Sequence, residues 1–113
     1  MGTATAKIRA GVCGFTTTAR AVADEAYDVG YEVATDCPRI ESFSAALART
    51  GKVNALRELR LRHDATALAL GRDPQLGLCV GCVVPSGLYK AMQVAAGLAL
   101  AADSEIALSE EPA

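Results

Sequence analysis

Four cysteines are the residues of this chain whose type and setting could do chemistry. Each sits near glycine, proline or a second cysteine: Cys13-Gly14-Phe15, Asp36-Cys37-Pro38, and Cys79-Val80-Gly81-Cys82 leading to Pro85. Thiolates act as ligands only when backbone turns aim them at one point, and glycine and proline make such turns. Cys79 and Cys82 form a C-x-x-C pair whose short loop can place both sulfurs on one metal, while Cys13 and Cys37 would arrive from the strand side. An all-thiolate set suits zinc or an iron–sulfur cluster and argues against magnesium or calcium. The expectation is therefore that Cys13, Cys37, Cys79 and Cys82 ligate an iron–sulfur cluster, with zinc as the alternative. Two other readings stay open. The cysteines can be small buried hydrophobes, or Cys79 and Cys82 can be a reversible redox pair, although thioredoxin-type pairs normally open a helix after a strand.

The elements that must position these thiols read as strands first and helices later. In residues 6–12, Ile8, Ala10 and Val12 alternate with Lys7, Arg9 and Gly11, which predicts a half-buried strand with Cys13 at its rim. Residues 15–24 are rich in Thr and Val, and Tyr31, Val33 and Thr35 alternate again, so the two runs predict a hairpin turning at residues 25–30. Ile40, Phe43 and Leu47 then recur at helical spacing, with Asp36 as N-cap, Pro38 in the first turn and Gly51 at the end. Val53, Leu56 and Leu59 predict a second helix closed by Gly71, Asp73 and Pro74. Residues 76–84 form a short apolar stretch carrying the cysteine pair, and a long helix starts at Pro85 and Ser86. Its many small residues would let it lie close against a sheet. Residues 104–108 are a candidate last strand, and the ends near 1–5 and 109–113 are expected to fray. The fold class expected is α+β: a small antiparallel sheet of three N-terminal strands, with a candidate C-terminal one, and helices packed on one face. Cys37 and Cys82 would then lie at helix starts, where the partial positive charge favours thiolate.

Composition bounds what such a site belongs to. The chain has 113 residues, 51% hydrophobic and 21% charged, with no Trp and a formal net charge of -2. That describes one domain, 1–113, able to bury a core without a metal to fold it. There is no basic excess to suggest nucleic acid, no run long enough to span a bilayer, and no leader signature after Met1. A cytoplasmic protein is expected, and in that reducing compartment patterned cysteines are more often ligands or redox groups than structural disulfides. Arg49, Lys52, Arg57, Arg60 and Arg62 make segment 49–63 locally basic, which suits docking of a larger, acidic protein partner as well as a plain solvated helix face. A homo-oligomer is also open. His63, the one histidine, reads as an exposed or capping residue near a helix end, and Lys90 as a surface residue or a counter-charge to thiolates. No phosphate-binding glycine loop, paired catalytic carboxylates or Ser-His-Asp arrangement occurs, so an ordinary hydrolase is poorly supported and enzymatic activity is left open.

The order of these features resembles the iron–sulfur cluster assembly scaffolds of the IscU and NifU N-terminal type. Cys13-Gly14, Cys37 and Cys82 occupy the matching places, over about residues 7–102. The chain departs from that pattern at Phe15, where those scaffolds carry Asp, and at Gly81, where they carry His. The resemblance implies a cluster site in which Cys79 replaces the His as fourth ligand, and an all-thiolate site of that kind would hold its cofactor rather than pass it on. The chain is more similar still to a small family of methanogens and other anaerobes. That similarity rests on Cys13-Gly14-Phe15, the mid-chain Cys37, the segment Cys82-Val83-Val84-Pro85-Ser86-Gly87-Leu88-Tyr89-Lys90-Ala91, and Gly97-Leu98-Ala99-Leu100. It implies anaerobic metal chemistry and nothing finer.

Overall fold

The computed structural model describes residues 2–112. Three strands follow one another as a meander, β1 (Thr3–Arg9), β2 (Thr16–Ala23) and β3 (Asp28–Thr35), and a short β4 (Val53–Asn54) completes an antiparallel sheet in the order β1-β2-β3-β4. Alternation sets the faces. Ala6 pairs with Ala19 and Ala19 with Val33, while Ala4 pairs with Ala21 and Ala21 with Tyr31, so these side chains share the covered face. The β2–β3 turn is held by the Asp24 carboxylate, which accepts the Ala26 and Asp28 amides at 2.9 and 3.0 Å.

All the helices lie on that one face, as the α+β reading expects. Helix α1 (Pro38–Arg49) packs on β3, α4 (Val84–Ala95) lies across β1 and β2, and α3 (Thr66–Gly71) wedges between α1 and α4. Helix α2 (Ala55–Leu61) follows β4 directly. The core beneath them has two parts, with half-buried Tyr31 packed against both. Ala21, Ala23, Val29, Val53, Met92 and Ala95 fill one part, and Ala19, Ile40, Phe43, Leu47, Val84 and Leu88 fill the other.

Four local expectations are corrected. The first strand runs Thr3–Arg9 rather than 6–12, so residues 3–5 are in the sheet and do not fray, while Ala10 to Cys13 form a turn. Asp36 does not cap α1. Cys37 holds the N-cap place, and the Asp36 carboxylate instead accepts the Thr16 amide at 2.9 Å. The long second helix is broken: Val53 is buried in β4 against Val29, α2 starts only at Ala55, and a 3-10 turn (Arg62–Asp64) with Arg62 at φ 56 separates α2 from α3. Apolar period does not distinguish a strand end from a helix start when the same residue is buried either way. Residues 104–108 form no strand; they are exposed and lie outside every helix and strand.

Glu58 explains the break between α2 and α3. It is only 3% exposed, and its side-chain oxygens accept the Thr66 amide and hydroxyl, each at 2.6 Å. The carboxylate thus caps α3 from the preceding helix, and the Tyr89 hydroxyl donates to the Glu58 carbonyl at 3.3 Å from α4. Burial first, then the charges of Glu58 and Tyr89, push the Tyr31 phenol well above its ordinary range. Glu58→Ala is expected to lower stability by about 2 kcal/mol, since it strands a partly buried amide as well as losing two hydrogen bonds. Glu58→Gln, which keeps an acceptor, should cost less. Denaturant midpoints at unchanged m-value check the ranking.

Candidate functional site

The sheet brings three separate stretches of chain to one end of the molecule. Cys13 lies in the β1–β2 turn, closed by the Gly14 amide donating to the Gly11 carbonyl at 2.9 Å. Cys37 follows β3 and leads into α1. Register joins these two neighbourhoods: Arg9 pairs with Thr16, and Thr17 pairs with Thr35. The Thr17 and Thr35 hydroxyls are 2.8 Å apart, and Thr35 also accepts the Cys37 amide at 3.2 Å. Thr17, at the start of the strand that follows the Cys13 turn, and Thr35 therefore clamp the approach to Cys37, a role that strand propensity by itself does not show.

The third stretch is the loop between α3 and α4. Cys79 and Cys82 are linked by a turn in which the Cys82 amide donates to the Cys79 carbonyl at 3.0 Å. Arg39, in the first turn of α1, donates to Cys79 Sγ at 3.1 Å and so ties this loop to the segment bearing Cys37. Cys37 and Cys82 both pack on the core part built around Phe43, Val84 and Leu88. All four thiols are free; Cys13 and Cys79 are exposed, and Cys37 and Cys82 half-buried.

Electrostatics records the convergence. Burial is the largest influence on the Cys82 thiol and pushes its pKa up, and the charges of Cys79, Cys37 and Cys13 push it further in the same direction. The Val84 amide at the start of α4 works the other way. The helix-start effect expected at Cys82 is thus present but outweighed, because a half-buried thiolate next to three other sulfurs loses more than one amide returns.

The thiols share one end of the molecule without forming a ready-made cage. Among the described residues, no group of three or more His, Cys, Asp and Glu side chains is drawn close enough to hold a metal ion. The loops have latitude to close. Gly11, Gly14 and Gly81 adopt φ of 90, 74 and 83, and a Cβ on any of them would meet nothing within 4 Å. His63 sits in the 3-10 turn, where its carbonyl accepts from Arg72, and Lys90 is exposed on α4. Arg39 lies outside the basic segment 49–63, yet a cation two residues beyond Cys37 is a signal legible in the chain. Val12, expected on the apolar face of the first strand, is instead fully exposed beside Cys13, as is Val80 beside Cys79.

These features define a small α+β protein with its helices on one face of an antiparallel sheet and its cysteines on loops at one end. The chain belongs to a family of unknown function, DUF6951, which matches residues 4–108. No curated protein matches it. No helix among the described residues is long and apolar enough to cross a membrane.

The thiol coupling predicts a measurable pH dependence. In metal-free protein, alkylation of Cys82 should reach half its limiting rate at a higher pH than that of a free cysteine. Cys79→Ser should move that midpoint down, since it removes a neighbouring negative charge. Site-resolved mass spectrometry of the alkylated protein gives both values; an unmoved midpoint would mean that the two sulfurs do not sense one another.

Proposed function

We propose that this is a cysteine-ligated metal-binding protein of the cytoplasm, in which Cys13, Cys37, Cys79 and Cys82 hold an iron–sulfur cluster, with zinc as the alternative ion. The reading is that of a cluster carrier, scaffold-like or electron-transfer protein. The observation that carries it is geometric: Cys37 and Cys82 pack on the same part of the core, and Arg39 from the first turn after Cys37 reaches Cys79 Sγ at 3.1 Å, so sulfurs from distant parts of the sequence are drawn to one end of the molecule. Thiolates brought together on binding would repel one another, and a cation or a cationic cluster core relieves that repulsion.

The residues present suit such a group chemically. An all-sulfur set is the donor set of iron–sulfur and structural zinc sites. The Arg39 guanidinium beside Cys79 Sγ supplies a positive charge of the kind that offsets the net negative charge of a tetrathiolate site. The glycines in left-handed conformation beside Cys13 and Cys82 supply the backbone freedom for the loops to draw inward on binding. When bound, a cluster would supply one-electron chemistry or a transferable inorganic unit. The chain's own part is to present the thiolates, compensate their charge and restrict solvent on the side of the Phe43 core.

Iron and acid-labile sulfide, measured on protein made and kept without oxygen, test the reading. The expected result is iron with sulfide, a visible absorption band, and loss of most of both in each of the four single Cys→Ser variants. Zinc without sulfide would assign a structural metal site. Neither metal nor sulfide, together with a reversible oxidation that disappears in Cys79→Ser or Cys82→Ser, would replace the reading with a thiol–disulfide protein.

A further inference from the structure

The sheet is unfinished along one edge. Strand β3 runs to Thr35, yet β4 pairs with it only at Asp28 and Val29, so among the described residues the outer edge of β3 over residues 30–35 has no neighbouring strand. Beneath that edge, between the sheet and α1, lies an open-sided groove of about 260 Å³ lined by Tyr31, Val33, Leu47 and Ala48, with Gly51 and Lys52 at its mouth. A shallower hollow on the opposite face of the same edge is lined by Arg20, Val22, Glu32 and Lys52. An unpaired edge above an apolar groove is the arrangement that accepts an added strand.

The C-terminal segment has the complementary properties. Residues 99–112 are all exposed and outside any helix or strand. They nonetheless carry large apolar side chains: Leu100, Ile106 and Leu108 are 91%, 72% and 91% exposed. Ile106 and Leu108 alternate with Glu105, Ala107 and Ser109, a period-2 pattern that gives a strand one apolar face. Leaving such residues in water is unfavourable, and contiguous exposed apolar surface marks an interaction site. Charge matches as well. The segment bears Asp103, Glu105, Glu110 and Glu111 with no Lys or Arg after Lys90, whereas Arg49 and Lys52 are exposed beside the groove. Arg20 is already paired with Glu32 at 3.1 Å, and Lys52 lies a loose 3.9 Å from Asp24, which leaves Lys52 the cation better able to change partners.

We propose that residues 104–108 of one copy add as a strand to the free β3 edge of a second copy, placing Ile106 and Leu108 in the groove under Tyr31 and Val33. The tail of the same chain does not cover that groove, because its apolar side chains are exposed throughout. The molecule is accordingly elongated, 52 × 31 × 24 Å. In a twofold dimer the exchange is reciprocal, so each interface contains the contact twice. Backbone hydrogen bonds supply affinity, and the alternate side chains set the register. The basic segment that reads in the sequence as a docking surface then begins at the residues that receive an acidic tail of the same protein.

The test uses full-length protein with reductant and chelator present, so that neither disulfides nor metal can bridge copies. Sedimentation over a wide concentration range should show a reversible dimer. Ile106→Asp with Leu108→Asp should raise its dissociation constant about tenfold or more. Lys52→Glu should weaken it in a salt-dependent manner. Ile106 and Leu108 are exposed, so an unchanged unfolding transition at low concentration confirms that the doubly substituted protein folds. Amide exchange at residues 31–35 and 106–108 should be slowed together in the dimer and released together by the double substitution. A wild-type protein monomeric throughout, or a dimer that the double substitution leaves intact, overturns the proposal. So does protection of both segments in a monomer, which would place the tail on its own chain.

Discussion

The close approach of α4 to the sheet is the constraint on which the rest of the molecule depends. Ala19 and Ala21 are fully buried on the covered face of β2 and Ala23 nearly so, and a helix can settle deeply over a strand lined by methyl groups. Gly87 extends this contact, since a Cβ there would run into the Ile8 side chain of β1. Gly71 does the same between α3 and α4, where a Cβ would come within 2.6 Å of the Pro85 ring. Small residues at these positions bring Val84 and Leu88 against Phe43, and with them the loop that ends in Cys82. Larger ones would push α4 outward and carry Cys79 and Cys82 away from the strand end that bears Cys13 and Cys37.

Helix α4 also divides the molecule's two points of interest. Its first residue follows the cysteine loop, and its end passes through Leu98, which packs on the other part of the core, into the exposed acidic tail. The thiols and the open β3 edge share one scaffold, since β3 carries the edge and leads through Thr35 into Cys37 at the start of α1. The cysteine end is built of turns with glycine in left-handed conformations and can change shape at modest cost. The β3 edge is backed by α1 and Leu47 and is fixed before anything binds it.

Much of the architecture was legible in the chain because each strand alternates and each long helix has an apolar period with a plain start. Residues 16–23 and 31–35, the helix from Pro38, and the helix beginning near Pro85 all follow from side-chain pattern and from proline placement. The misreadings share one physical cause. Val53 is buried whether it ends a strand or opens a helix, and only pairing with Val29 decides between them. Ile106 and Leu108 have the pattern of a strand, but a strand needs an edge to join, and the folded chain does not bring its own tail to one. Glu58 reads as a surface acid on a basic helix; its burial depends on Thr66, eight residues on, offering two donors.

The sequence by itself determined the class of the fold, the positions of the cysteines at turns and helix starts, and the acidic tail with its alternating apolar residues. These are local properties, decided by backbone preference and the period of side chains along a few residues. Only the tertiary structure decided that Arg39 contacts Cys79, that Thr16 and Thr17 brace the chain around Cys37, and that Cys37 and Cys82 pack on one part of the core. It alone decided that β4 stops short and leaves β3 open. Those outcomes arise from contacts between residues far apart in the chain, whose distances are set by how closely the helices can pack on an alanine-lined sheet.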